Sequence, residues 1–233
     1  TEMMMGMSLA SNPLEILLTL DSTDRVEKMS LDTPSISGNH IIDTAQLTGI
    51  TLRAVASLSD GGTIVAESTT VIEKYDASVP PVRVTTGFPI TLTANLMKLR
   101  KISGGRFVAI TTGGTPDGPR VYSNSGALLS TVALGLACGT NCDPSDIVEL
   151  PDGRFLVAVQ AAAQNSIEIY DSSFVRIQQF YRDLTVLQNI SAMALTADGN
   201  LLACSTSFNT CEKIQIVGNA GVRMGSAAFI DDA

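Results

Sequence analysis

The chain has 233 residues, 15 Lys and Arg against 23 Asp and Glu, a net charge of −8, one histidine and no tryptophan. A chain this long buries roughly 70–75% of its unfolded surface, so a sizeable core is expected. The acidic, Lys/Arg-poor composition argues against nucleic acid or an anionic membrane as the main partner. A single histidine, His40, removes mechanisms that need two, including most zinc hydrolase sites.

The N-terminal run Thr1-Glu2-Met3-Met4-Met5-Gly6-Met7 lacks a basic region followed by a long apolar one, so it does not read as an intact signal peptide. It reads instead as a packed first strand, Met4 to Leu9. A turn at Ser11-Asn12-Pro13 and a second strand from Leu14 to Leu20 follow. No run of 18 apolar residues occurs, so no transmembrane helix is predicted.

Further along, one pattern recurs. Leu58-Ser59-Asp60-Gly61-Gly62-Thr63-Ile64-Val65, Ile102-Ser103-Gly104-Gly105-Arg106-Phe107-Val108, Leu150-Pro151-Asp152-Gly153-Arg154-Phe155-Leu156 and Thr196-Ala197-Asp198-Gly199-Asn200-Leu201-Leu202 each read as a β-hairpin. Asp and Gly tolerate the positive φ that such tight turns need. A second element follows each hairpin: Ile72-Glu73-Lys74-Tyr75, Val121-Tyr122, Ile167-Glu168-Ile169-Tyr170 and Ile214-Gln215-Ile216-Val217, with Val26-Glu27-Lys28-Met29 upstream. The closing residues Met29, Tyr75, Tyr122, Tyr170 and Val217 are spaced 46, 47, 48 and 47 apart. Period-two alternation predicts strands with one buried face. A third element completes each repeat: Val82-Arg83-Val84, Val175-Arg176-Ile177 and Val222-Arg223-Met224, with weaker copies at Leu128 to Thr131 and Ile41 to Thr44.

Four strands (A to D) in repeats of about 47 residues predict an all-β fold, a β-propeller of five four-stranded antiparallel blades or part of a larger propeller. The blades are expected near 3–48, 49–90, 91–136, 137–184 and 185–233, within one domain. At the Asp-Gly turns and the Ile-x-Ile-Tyr strands the chain resembles the broad group of NHL, SMP-30/gluconolactonase-like and YncE-like propellers. The Trp and Gly-His marks of WD40 repeats are missing.

The four cysteines form two local pairs, Cys138 with Cys142 and Cys204 with Cys211. Two short disulfides, Cys138–Cys142 and Cys204–Cys211, fit an oxidising compartment. Free buried thiols and a four-thiolate metal site are the alternatives. Cys204 should end a B strand and Cys211 begin the next C strand, opposite each other.

The resemblance implies a ligand site on the face built by D–A and B–C connections, which here include 87–95, 135–145, 183–189, 160–166 and 205–210. Asn95, Asp143, Asp146 and Asn189 lie at or just before A strands on that face. Their oxygens are hard ligands suited to Ca²⁺, and SMP-30-like lactonases hold a metal with a Glu, Asn and Asp set in a similar place. The same four residues also suit turn capping. Asp143 and Asp146 are both expected in solvent-facing positions. Asp60, Asp152 and Asp198 read as turn residues, and Arg83, Arg176 and Arg223 as charges on outer strands. His40 has no nucleophile partnered with it by any motif.

The leading functional expectation is a non-enzymatic binding or interaction module, extracytoplasmic (periplasm, cell surface or secreted) and monomeric, for a protein, glycan or small-molecule partner. The alternatives are a divalent-metal-dependent lactonase or hydrolase, and a structural domain of a larger surface protein.

Overall fold

The computed structural model describes residues 4–9, 15–20, 25–30, 40–42, 47, 51–113, 118–134, 142–160 and 165–224. Among them there is no helix, and the strands form five four-stranded antiparallel sheets, each in sequence order. The first sheet comprises β1 (Met4–Leu9), β2 (Glu15–Leu20), β3 (Arg25–Ser30) and β4 (His40–Ile42). The second comprises β5 (Ala54–Ser57), β6 (Thr63–Ala66), β7 (Val71–Tyr75) and β8 (Ile90–Thr91). The third comprises β9 (Asn95–Ile102), β10 (Arg106–Thr112), β11 (Arg120–Ser123) and β12 (Leu128–Thr131). The fourth comprises β13 (Asp143–Glu149), β14 (Phe155–Gln160), β15 (Ser166–Tyr170) and β16 (Arg176–Tyr181). The fifth comprises β17 (Ile190–Leu195), β18 (Leu201–Ser205), β19 (Thr210–Val217) and β20 (Ala220–Arg223).

Two compact units divide the chain, 1–115 with 119–131 and 116–118 with 132–233. In the first unit, Leu17, Val26 and Ile42 pack with Val55, Val65 and Tyr75, joining the first sheet to the second. On the other side of the second sheet, Ile64, Ile72 and Ile90 pack with Leu96, Leu99 and Phe107 of the third. In the second unit, Leu156, Ile167 and Ile169 pack with Met193, Leu201 and Ile214, joining the fourth sheet to the fifth. The second sheet is thus covered on both faces. Its strands, like β14 and β15 of the fourth, read as apolar runs, and every residue from Phe155 to Val159 is buried.

Three of the A–B hairpins share one turn. Leu58, Leu150 and Thr196 each accept from the glycine amide three residues on (Gly61, Gly153, Gly199), and each donates to the carbonyl four residues on. Those glycines sit at φ 83°, 85° and 77°. That left-handed backbone costs a residue with a Cβ, which is why the Asp-Gly pair is the most legible mark in the sequence.

Three expectations are corrected. The glutamates of the C strands do not face solvent, because Glu27, Glu73, Glu168 and Glu212 are all buried. The fifth C strand is also shifted. Ile214, not Val217, lies opposite Leu201, as Tyr170 lies opposite Phe155. The true repeat is therefore Cys211-Glu212-Lys213-Ile214. In the second sheet, Arg83 makes only an isolated bridge to Tyr75, and the fourth strand is Ile90–Thr91, paired with Ile72 and Val71. Pro80, Pro81 and Pro89 supply no amide N–H, so the chain cannot continue a ladder directly from the turn. The expected turn at Ser11-Asn12-Pro13 lies outside the described residues.

Candidate functional site

The buried C-strand glutamates recur with a partner. Arg83 Nε donates to Glu73 at 2.9 Å, Arg176 Nε to Glu168 at 2.7 Å and Arg223 Nε to Glu212 at 2.8 Å. A carboxylate removed from water needs a charge and hydrogen bonds to compensate. In these three sheets an arginine supplies both, and in the fourth and fifth sheets it fastens strand D to strand C. In the first sheet Glu27 pairs with Arg25 of its own strand, at 2.8 Å. The third sheet has Arg120 at the corresponding position, which donates to Thr93 Oγ1 instead.

The turn aspartates are paired as well. Lys74 Nζ donates to Asp60 at 2.6 Å, Lys213 Nζ to Asp198 at 2.5 Å, and Arg154 Nε to Asp152 at 2.8 Å. Hydrogen bonds from Lys213 and Thr196 hold the Asp198 carboxyl well below the usual carboxylate range. Burial opposes the shift at Asp60, but the bonds from Lys74 and the Gly62 amide outweigh it, and its pKa is also lowered. These ion pairs hold the three turn aspartates in place.

The opposite end, where B–C turns meet the starts of A strands, is built differently. In the second unit, Cys204 and Cys211 face each other across β18 and β19 and form a disulfide. The bond closes the hairpin tip 205–210. Asn189 Nδ2 donates to Ser207 Oγ at 2.7 Å, and the Asn189 carbonyl accepts from the Thr206 amide at 3.2 Å and from Thr206 Oγ1 at 3.1 Å. Ser205 Oγ donates to the Gln188 carbonyl. Asn189 and Asn209 both take left-handed backbone, φ 49° and 51°, a region asparagine enters more readily than most residues. At the tip Phe208 remains 41% exposed. Gln160 Nε2 donates to the Ile190 carbonyl at 2.9 Å, tying the end of β14 to the start of β17.

The four expected site residues do not share one environment. Asp143 is exposed at the start of β13, and Asn189 is exposed beside the hairpin tip. Asn95, exposed at the start of β9, belongs to the first unit. Asp146 is not solvent-facing as expected. It is fully buried, with Oδ1 accepting from the Ile147 amide at 2.9 Å and Oδ2 from the Met193 amide at 2.8 Å. The cause is a β-bulge between Pro144 and Asp146, which adds one residue to β13 and turns the aspartate inward. Among the described residues no three His, Cys, Asp or Glu side chains converge as metal ligands do. Cys142 is buried, and the expected Cys138–Cys142 disulfide lies outside the described residues because Cys138 does.

In the first unit, Tyr75 Oη donates to the buried Glu67 at 2.5 Å. Burial, and then the Glu67 carboxylate, push the tyrosine pKa up. Sequence pattern gave no sign of this pair, because Glu67 lies in a turn and turns are ordinarily polar.

No protein-family model and no curated protein sequence matches the chain. Solved structures do match its fold. Kuenenia stuttgartiensis hydrazine synthase superposes with a TM-score of 0.68 at 12% identity, over 95% of this chain and 65% of that one. A nidogen/laminin complex matches with a TM-score of 0.67 at 13% identity, over 94% of this chain and 78% of that one. A candidate 6-phosphogluconolactonase from Bacteroides uniformis matches with a TM-score of 0.61 at 13% identity, over 92% and 67%. The chain thus spans just under two thirds of the hydrazine synthase chain. Together with the repeated four-stranded sheets, these likenesses place the fold in the β-propeller class.

Proposed function

We propose that the chain is a binding module whose five sheets serve as the blades of one propeller, and that it engages a partner through the end where B–C turns meet A strands. The observation that carries this reading is the hairpin tip 205–210. A disulfide closes it, side-chain hydrogen bonds anchor it to Gln188 and Asn189, and it holds Phe208 out to solvent. Ordering a loop costs conformational entropy on binding, and a loop fixed in advance avoids that cost. An exposed aromatic on a rigid loop is a common anchor for a partner. The disulfide also supports an extracytoplasmic location, since such bonds persist in oxidising compartments. The metal-dependent lactonase reading is less well supported, because Asp146 spends both carboxylate oxygens on backbone amides.

The test is an array of peptides and glycans probed with the protein and with Phe208→Ser. The expected result is binding to a chemically related set that the substitution weakens at least tenfold. An array without a hit, or hits indifferent to Phe208→Ser, would contradict the proposal.

A further inference from the structure

The end of the fifth sheet that holds Phe208 is built from hydroxyls and carboxamides and carries no charge of its own. No Asp, Glu, Lys, Arg or His occurs from Leu184 to Ala197 or from Gly199 to Cys211. The carboxylates that flank these segments are engaged within the fold. Asp183 accepts from the Thr185 amide at 2.9 Å and from its hydroxyl at 2.6 Å, and Glu212 is buried against Arg223. The tip itself reads Ser205-Thr206-Ser207-Phe208-Asn209-Thr210, and its residues 206–209 are all exposed.

The hydrogen bonds that anchor the tip also decide how its hydroxyls can act. Ser207 Oγ accepts from Asn189 Nδ2 at 2.7 Å, so its proton remains as a donor. Thr206 Oγ1 spends its proton on the Asn189 carbonyl at 3.1 Å, so its lone pairs remain as acceptors. A donor and an acceptor therefore sit on successive residues, and an exposed aromatic ring on the next. A pyranose matches that set. Each of its hydroxyls both donates and accepts, and its C–H face suits the negative face of an aromatic ring. A peptide finds less here. β18 and β19 are interior strands of the order β17-β18-β19-β20, so neither offers a free edge for strand addition. Phe208 is the one large apolar side chain exposed in the tip, which falls short of the row of anchors a bound helix requires. A sulfated or sialylated glycan would bring anions to a chain of net charge −8 with no cation in either segment.

We propose that the Phe208 tip takes an uncharged glycan, with the ring against the C–H face of one pyranose and Thr206 and Ser207 on its hydroxyls. This assignment rests on the tip being the binding site. The test is one array that carries neutral oligosaccharides of hexose and N-acetylhexosamine, sialylated and sulfated glycans on the same cores, and peptides. It is probed with the full chain, Phe208→Ser and Thr206→Val. The valine keeps the shape of threonine and the backbone bond from residue 206 to the Asn189 carbonyl. The expected result is binding to neutral glycans that Phe208→Ser abolishes, that Thr206→Val weakens by about two- to tenfold, the worth of one hydrogen bond, and that added sialic acid or sulfate does not improve. Phe208-dependent binding to peptides or only to the charged glycans, or neutral-glycan binding indifferent to Thr206→Val, overturns the assignment and leaves the tip as the binding site. No Phe208-dependent binding on any arm removes the binding site itself, and the assignment with it.

Discussion

Replacing Asp146 with alanine should damage the fold, whereas replacing Asp143 should not. The Asp146 side chain is fully buried and accepts from two backbone amides, those of Ile147 and Met193. The second bond runs from β13 of the fourth sheet to β17 of the fifth. Alanine leaves both amides without that acceptor, and a buried donor left unsatisfied costs roughly 1–3 kcal/mol. The two together give about 2–6 kcal/mol, a large part of the total stability of an ordinary domain. At about 2–4 °C per kcal/mol for a chain of this length, the thermal midpoint should fall by roughly 4–24 °C. Asp143 is exposed, and its substitution should stay within about 0.5 kcal/mol. Thermal unfolding of the two single variants, followed by circular dichroism, decides the matter. Equal midpoints for Asp146→Ala and the parent protein would refute the reasoning, and would return Asp146 to the list of groups free to bind a metal.

Arg176→Ala should cost about 2–3 kcal/mol, since it strips a buried carboxylate of its counter-ion while Ser166 Oγ still donates to Glu168 at 2.8 Å. Chemical denaturation of that variant beside Arg106→Ala, whose Nε donates to the Ser103 carbonyl, checks this. Alkylation of the unreduced protein followed by mass spectrometry should leave Cys204 and Cys211 unlabelled. Replacing both by alanine should cost at most about 2–3 kcal/mol, as expected for a short closed loop spanning a sequence separation of 7. The lowered Asp198 pKa means that the stability from its bonds to Lys213 and Thr196 is present above the usual carboxylate pKa and is lost as pH falls below it. Carbon-detected titration should show the Asp198 carboxyl protonating at lower pH than an ordinary aspartate, and moving back toward it in Lys213→Met.

Much of the fold was legible because its marks are local. The Asp-Gly turns need a backbone that few residues adopt, so they stand out at Gly61, Gly153 and Gly199. The cross-strand position of Cys204 and Cys211 followed from the same hairpin reading, and the disulfide bears it out. The meaning of the C-strand glutamates was hidden. Alternation separates one face of a strand from the other, but it cannot tell whether the second face meets water or a neighbouring sheet. The recurrence of Arg83, Arg176 and Arg223 was visible, yet their partners lie across a ladder with no fixed sequence offset. The fifth C strand was misplaced because Ile214-Gln215-Ile216 repeats the pattern of Ile167-Glu168-Ile169, and only the pairing of Ile214 with Leu201 assigns the position to Cys211-Glu212-Lys213-Ile214. For the site, loop position alone grouped Asn95, Asp143, Asp146 and Asn189. A one-residue bulge was enough to take Asp146 inside, and bulges leave little trace in composition.

The most direct measurement of where the protein binds is hydrogen exchange by mass spectrometry, with and without a ligand drawn from the peptide and glycan array. The account predicts slowed exchange at 188–190 and 205–210, the segments that the disulfide and Asn189 hold in place. Slowed exchange confined to the Asp-Gly turns at 58–62, 150–154 and 196–200 would contradict it.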